Sequence, residues 1–151
     1  MISLKRKQSG FTIVELLIVI VVIGILAAIV ITTFTGVQKK GRDADRKSDI
    51  NAIYSQVEVY FAQEGKYPTL DNMNNVSPTD FRSTQLKGLS DDALTDPKGS
   101  AATLVSAPAA NAYSYVVTPS GCDNSTTDCT GFTLTATLEA GGTFAKTGSI
   151  N

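Results

Sequence analysis

The sequence predicts an α+β fold: a long N-terminal α-helix, membrane-spanning in its first half and amphipathic in its second, packed against a small antiparallel β-sheet head. Three observations predict it. The residues from Phe11 to Ile31 form an apolar run, a proline-free continuation reaches Glu64 with apolar residues at helical spacing, and alternating strand patterns are confined to the end of the 151-residue chain. Spacing of three and four marks a helix face and alternation marks a strand. The net charge of −1 offers no basic surface for nucleic acid and no acidic field for a cationic partner. The chain has no histidine, which removes the commonest general base and metal ligand and argues against an enzyme.

The first ten residues, MISLKRKQSG, place Lys5, Arg6 and Lys7 ahead of the apolar run, as a secretory signal does. The run is longer than an h-region of about 7 to 15 residues, and no small-residue cleavage site follows it cleanly. Between Phe11 and Ile31 only Thr12, Glu15 and Gly24 interrupt the aliphatic and aromatic residues and alanines, and a bilayer core needs about 20 such residues. A span begun after Glu15 would keep only the 16 residues from Leu16 to Ile31, below the usual minimum of about 17. The Glu15 carboxylate therefore belongs to the embedded part, where an ionisable group is costly without a partner.

Lys39, Lys40, Arg42, Arg46 and Lys47 follow the run and compete with the leading cations for orientation. Cys122 and Cys129, in CDNSTTDC, decide it. With no other thiol and no histidine, zinc is implausible and a local disulfide in an oxidising compartment is the expected use. The C-terminal part then lies outside the cytoplasm.

Beyond the span, Ile50, Ile53, Tyr54, Val57, Tyr60 and Phe61 fall on one helix face, with Lys47, Asp49 and Glu58 on the others. The helix is expected to continue as one rod to a C-cap at Gly65, before Tyr67 and Pro68. Gly36 and Gly41 are weak points, each costing about 1 kcal/mol relative to alanine. Ser77-Pro78-Thr79-Asp80 reads as the start of a short helix running to about Lys87, with Gly88 after it. Asp96-Pro97-Lys98-Gly99 fits a type I turn. GSAATLVSAPAANA reads as a surface loop.

Two strands follow: AYSYVV with Tyr113, Tyr115 and Val117 on one face, and FTLTATLE with Phe132, Leu134, Ala136 and Leu138 alternating against Thr133, Thr135, Thr137 and Glu139. Gly141-Gly142 turns the chain into a short third strand near Thr143 to Lys146. The apolar face of this sheet needs cover, and the stripe from Ile50 to Phe61 supplies it. The tyrosines are expected in that core and the strand threonines to reflect strand propensity, rather than either serving adhesion or glycosylation.

A basic leader ending in glycine, then FTIVELLIVIVVIGILAAI, an amphipathic continuation, GKYP and a small sheet with a cysteine pair together resemble the type IV pilin family, which includes the pseudopilins of type II secretion. The resemblance is strong over the first 65 residues and architectural in the head. It implies a leader over residues 1–10, a long helix over 11–64 (11–31 in the membrane, 32–64 amphipathic) and a head over 65–151. It further implies that Gly10 is the last leader residue, cut by a prepilin peptidase, and that Phe11 becomes the new, N-methylated terminus. Glu15 would be the family's assembly glutamate. Cleavage creates an α-amino group that is partly cationic near neutral pH, and such an amine is the partner the carboxylate lacks. On helix geometry alone either the same subunit or a neighbour can supply it; the family uses the neighbour's.

The implied partners are further copies of the chain, the peptidase, an assembly platform with its ATPases, and the cytoplasmic membrane before assembly into an extracellular pilus. No direct nucleic-acid contact is implied. Many family members carry a proline where Thr32 and Thr33 stand, so a local unwinding of the helix would here rest on Gly24. Asp91, Asp92 and Asp96 look like the region of major pseudopilins that binds calcium. Loop carboxylates are more often only solvated, so the expectation is no metal and no other cofactor, with these three as the candidate calcium ligands. Two other readings are a pseudopilin for type II secretion and, from a different class, a membrane-anchored extracellular binding module whose rod is only a stalk.

Overall fold

The computed structural model describes residues 10–75 and 81–150. The order of elements is α1 (Ile13–Glu64), α2 (Leu70–Asn74), α3 (Phe81–Gln85), a 3-10 turn (Asp92–Leu94), β1 (Tyr113–Thr118), β2 (Gly131–Thr137) and β3 (Thr143–Ser149). The basic leader and the helix start expected at Ser77 to Asp80 lie outside the described residues. The chain divides into two compact units, one up to Gln38 and one from Lys39 onward.

In the first unit α1 is apolar on every side and its side chains are exposed, from Ile13 at 84% to Val37 at 66%. A helix of that kind has no face to turn inward on its own chain. Among the described residues it is the one helix long and apolar enough to cross a membrane. No break occurs where a proline was missing. The Thr33 hydroxyl donates to the carbonyls of Val30 and Ile29 at 2.9 and 3.2 Å, which satisfies the polar group within the helix.

In the second unit the apolar stripe of α1 does turn inward. Ile50, Ile53 and Val57 are fully buried and Tyr60 nearly so, and burying each aliphatic side chain contributes about 1.5 to 3 kcal/mol. The helix stops because Gly65 adopts φ +72° and its N–H returns to the Phe61 carbonyl at 2.8 Å, a left-handed C-terminal cap that only glycine takes without strain. The sheet has the order β1-β2-β3, antiparallel throughout. Its register sets Tyr115 opposite Leu134, and Val117 and Gly148 opposite Phe132. Phe132 is the hub, with ring centroids 4.9 Å from Tyr67, 5.3 Å from Tyr115 and 5.8 Å from Tyr54 of α1. Gly148 is required beside it, since a Cβ there would run into the Phe132 ring and within 2.9 Å of the Tyr67 hydroxyl.

Several expectations need correction. β3 runs to Ser149, not Lys146, and β2 ends at Thr137, which leaves Glu139 off the strand. The helix expected to reach Lys87 ends at Gln85. Helix α2 was not foreseen; it starts in a capping box, in which the Thr69 and Asn72 side chains each accept the other's backbone N–H at 3.1 Å. The stretch read as a surface loop contains Leu104, 3% exposed. It is held because the Asn74 side chain bonds both its N–H, at 2.7 Å, and its carbonyl, at 2.8 Å, while Val105 bridges Ser114 on β1. Asp96-Pro97-Lys98-Gly99 does form its turn, closed by the Gly99 N–H on the Asp96 carbonyl at 2.7 Å.

Candidate functional site

The N-terminal site is built on the first turn of α1. Gly10 and Phe11 precede the helix in non-helical backbone, with Phe11 83% exposed. Thr12 sits where the cap belongs, and its N–H and hydroxyl donate to the same Glu15 oxygen at 2.9 and 2.8 Å. The Glu15 N–H donates back to the Thr12 hydroxyl at 3.3 Å. This is a reciprocal capping box, and it gives the carboxylate a partner within the chain before any other is supplied. Thr12 was missed in the sequence, although T-x-x-E ahead of an apolar run carries the signal. Phe11 precedes the helix and Glu15 lies in its first turn, with Gly10 exposed next to Phe11.

The cysteines are joined: Cys122 and Cys129 form a disulfide with Cα atoms 5.2 Å apart. Within the loop the Asp123 carboxylate accepts the N–H groups of Thr126, Ser125 and Thr127 at 2.7, 2.9 and 3.2 Å. These donors, Thr126 first, hold its pKa well below the usual carboxylate range. Asn124, at φ 61°, donates to the Tyr67 carbonyl at 2.7 Å and accepts the Cys129 N–H at 2.8 Å. The loop is thus fixed to the segment after α1. Both strand tyrosines lie in the core. The Tyr113 hydroxyl donates to Asp49 at 2.7 Å and that of Tyr115 to the Pro68 carbonyl at 2.8 Å, and burial pushes both phenols up.

A charged cluster was not anticipated. Arg46, counted in the sequence only among the cations that follow the apolar run, is 1% exposed. Its guanidinium takes both Asp96 oxygens at 2.6 and 2.9 Å, Asp43 at 2.9 Å and Glu139 at 3.0 Å. Arg42 grips Glu139 with two further bonds of 2.6 and 2.8 Å, and the Lys98 ammonium reaches the same carboxylate at 3.0 Å. Asp43 also accepts the N–H groups of Glu139 and Ala140 at 2.8 and 2.9 Å, which pins the β2–β3 turn to α1. The Arg42 guanidinium, ahead of Lys98 and Arg46, holds Glu139 well below its usual range. Burial works to raise Asp43 and Asp96, but the N–H groups and Arg46 outweigh it and both titrate low.

The calcium candidates are not brought together. Asp96 is committed to Arg46, Asp91 pairs with the buried Arg82, and Asp92 lies exposed at the start of the 3-10 turn. Among the described residues no group of three potential ligands is arranged to hold a metal ion.

Comparison with known proteins falls on the N-terminal part. The model of the prokaryotic N-terminal methylation motif matches residues 5–31. The chain is similar to the type II secretion system core protein G of Aeromonas hydrophila, 39% identical over 67 residues that make up 44% of this chain and 47% of that one. The protein of the same name from Dickeya chrysanthemi is 37% identical over 68 residues, 45% of this chain and 44% of that one. The type IV major pilin protein PilA of Myxococcus xanthus is 33% identical over 72 residues, 48% of this chain and 33% of that one. The match thus spans less than half the length of each of these curated relatives. No solved structure matches.

Proposed function

We propose that this membrane-anchored chain, whose N-terminal segment is that of the pilin and pseudopilin superfamily, is a structural subunit cleaved after Gly10, methylated at Phe11 and polymerised through α1 into an extracellular type IV pilus. The observation that carries the reading is Glu15 in the first turn of a helix whose apolar side chains are exposed on every side up to Val37. Such a surface is tolerated only in lipid or against other apolar helices. An acidic group kept within it has a use where a cation arrives at the same depth, and cleavage after Gly10 supplies that cation as the amine of Phe11. Thr12 holds the carboxylate until then.

With its own terminus the contact stays within the subunit; with a neighbour's it sets the register of one subunit on the next. The prepilin peptidase, the assembly platform and its ATPases are the partners this route requires. The head supplies a covalently closed loop, 122–129, suited to an exposed filament surface. A second reading within the same polymer class is a pseudopilus subunit of type II secretion, favoured by the names of the relatives from Aeromonas and Dickeya.

Mass spectrometry of the N-terminal peptide from protein sheared off the cell surface tests the proposal. Methylated Phe11 as the terminus in that fraction is the expected result. The same terminus confined to the cell envelope favours the pseudopilus, and an intact leader overturns both in favour of an anchored binding module.

A further inference from the structure

Three carboxylates from distant segments converge in the head: Asp43 on α1, Asp96 in the turn before β1 and Glu139 after β2. Carboxylates gathered from separate segments are the kind of donor a hard cation takes, and calcium takes six to eight such oxygens, as a rough rule, but these three are not arranged to hold a metal ion. Here the centre is filled by a side chain. Arg46 touches all three, with its ε and η2 nitrogens on Asp96 and its η1 nitrogen shared by Asp43 and Glu139. The charges close: Asp43, Asp96 and Glu139 are negative, and Arg42, Arg46 and Lys98 are positive. A divalent ion added beside that guanidinium would meet like charge and oxygens already taken.

We propose that Arg46 is the head's resident cation: its guanidinium occupies the three-carboxylate site as a soluble metal would, and the head keeps its fold without calcium. The donors of this chain therefore do not fit the metal that the pseudopilin resemblance implies. The inference concerns the head alone and stands whether the filament is a pilus or a pseudopilus.

Each carboxylate has a second anchor independent of Arg46. Asp43 is held by the N–H groups of Glu139 and Ala140, Asp96 by the N–H of Lys98 at 2.8 Å, and Glu139 by Arg42 and the Lys98 ammonium. Truncating Arg46 therefore leaves its three partners in place around a planar vacancy that lacks one positive charge. A free guanidinium ion matches that vacancy in shape, charge and donor count.

The test is thermal unfolding of the full chain in detergent micelles, followed by the circular dichroism of the sheet. The wild-type midpoint is expected to be the same in EDTA and in millimolar calcium. Arg46→Ala is expected to lose several degrees, and to recover part of that loss in dilute guanidinium chloride but not in sodium chloride of equal ionic strength, with the wild type as the control for guanidinium's own effect. A wild-type midpoint that falls in EDTA and returns with calcium overturns the proposal, as does an alanine variant that both salts restore equally or that neither restores. Should Arg46→Ala not fold, Arg46→Lys, which keeps the charge without the fork, is expected to melt below the wild type and to ignore calcium. A calcium-dependent midpoint in that variant also overturns the proposal.

Discussion

Residues 13–37 and 42–64 belong to the same helix and face opposite problems. In the first stretch Ile13, Ile31 and Phe34 stay 84%, 64% and 59% exposed; in the second Ile50, Ile53 and Val57 are fully buried. Both stretches are helical and both carry many aliphatic side chains, so helix formation does not separate them. The arrangement of apolar residues does. An all-round apolar surface has to be covered from outside the chain, by lipid or by other helices, whereas a single stripe is covered by the chain's own sheet. One helix is therefore covered from outside the chain at one end and by the chain's own sheet at the other.

The largest expected effect breaks the first stretch and leaves the second intact. Replacing Glu15 with Ala removes the charged group from the apolar surface, and sheared filament should fall to a small remnant while cleavage after Gly10 continues. The head should melt as in the wild type, because none of the core residues lies near this position in the sequence. Filament yield by immunoblot and N-terminal sequencing on the same sample check this; a normal yield would remove the role proposed for Glu15.

The converse break is Phe132→Ala. It deletes the ring that joins Tyr54, Tyr67 and Tyr115, and burying such a group less well costs about 3 to 5 kcal/mol. That is a large part of the whole stability of a domain of this size. Urea unfolding followed by near-ultraviolet circular dichroism should show the loss, while membrane insertion, read by carbonate extraction, should be unchanged. Reduced insertion would mean that the two stretches are coupled in a way their separate burial does not suggest.

How much of this was legible depended on how far apart in the chain the partners lie. The all-round run is read from composition, the Ile50-to-Phe61 stripe from spacing, the Gly65 cap from one residue, and the sheet from alternation; each signal sits within a few residues. Thr12 is equally legible, since T-x-x-E ahead of an apolar run is a capping-box signal. Arg46 was not legible. In RDADRKSD it looks like any solvated cation, and its burial depends on Asp96, 50 residues later, and Glu139, 93 residues later. Leu104 is the same case. It lies in a stretch of low complexity and enters the core because Asn74, 30 residues earlier, bonds its backbone. Charge and composition describe a residue's own preference, and a distant partner can reverse it.

Acid offers the finest separation of the two stretches. Residues 16–37 hold no titratable side chain, so their helix should be indifferent to pH. The head should not be. Glu139 is held low mainly by Arg42, and Asp43 and Asp96 titrate low despite burial because donors and Arg46 outweigh it, whereas in an unfolded chain such groups return to about 4.3 and 3.9. A carboxylate with a lowered folded pKa contributes stability that is fully present above the unfolded value and is lost as pH falls through the folded one. Asp49 has the opposite sign, since burial raises it more than the Tyr113 hydroxyl lowers it, so its protonation on the way down stabilises the head slightly. The urea midpoint should therefore hold or rise a little on acidification from neutral pH and then fall below about 4. Asp49→Asn should remove the early rise, and Glu139→Gln should flatten the later fall. A wild-type midpoint that shows no fall below about pH 4 would show that the cluster around Arg46 is open to solvent rather than closed on its carboxylates.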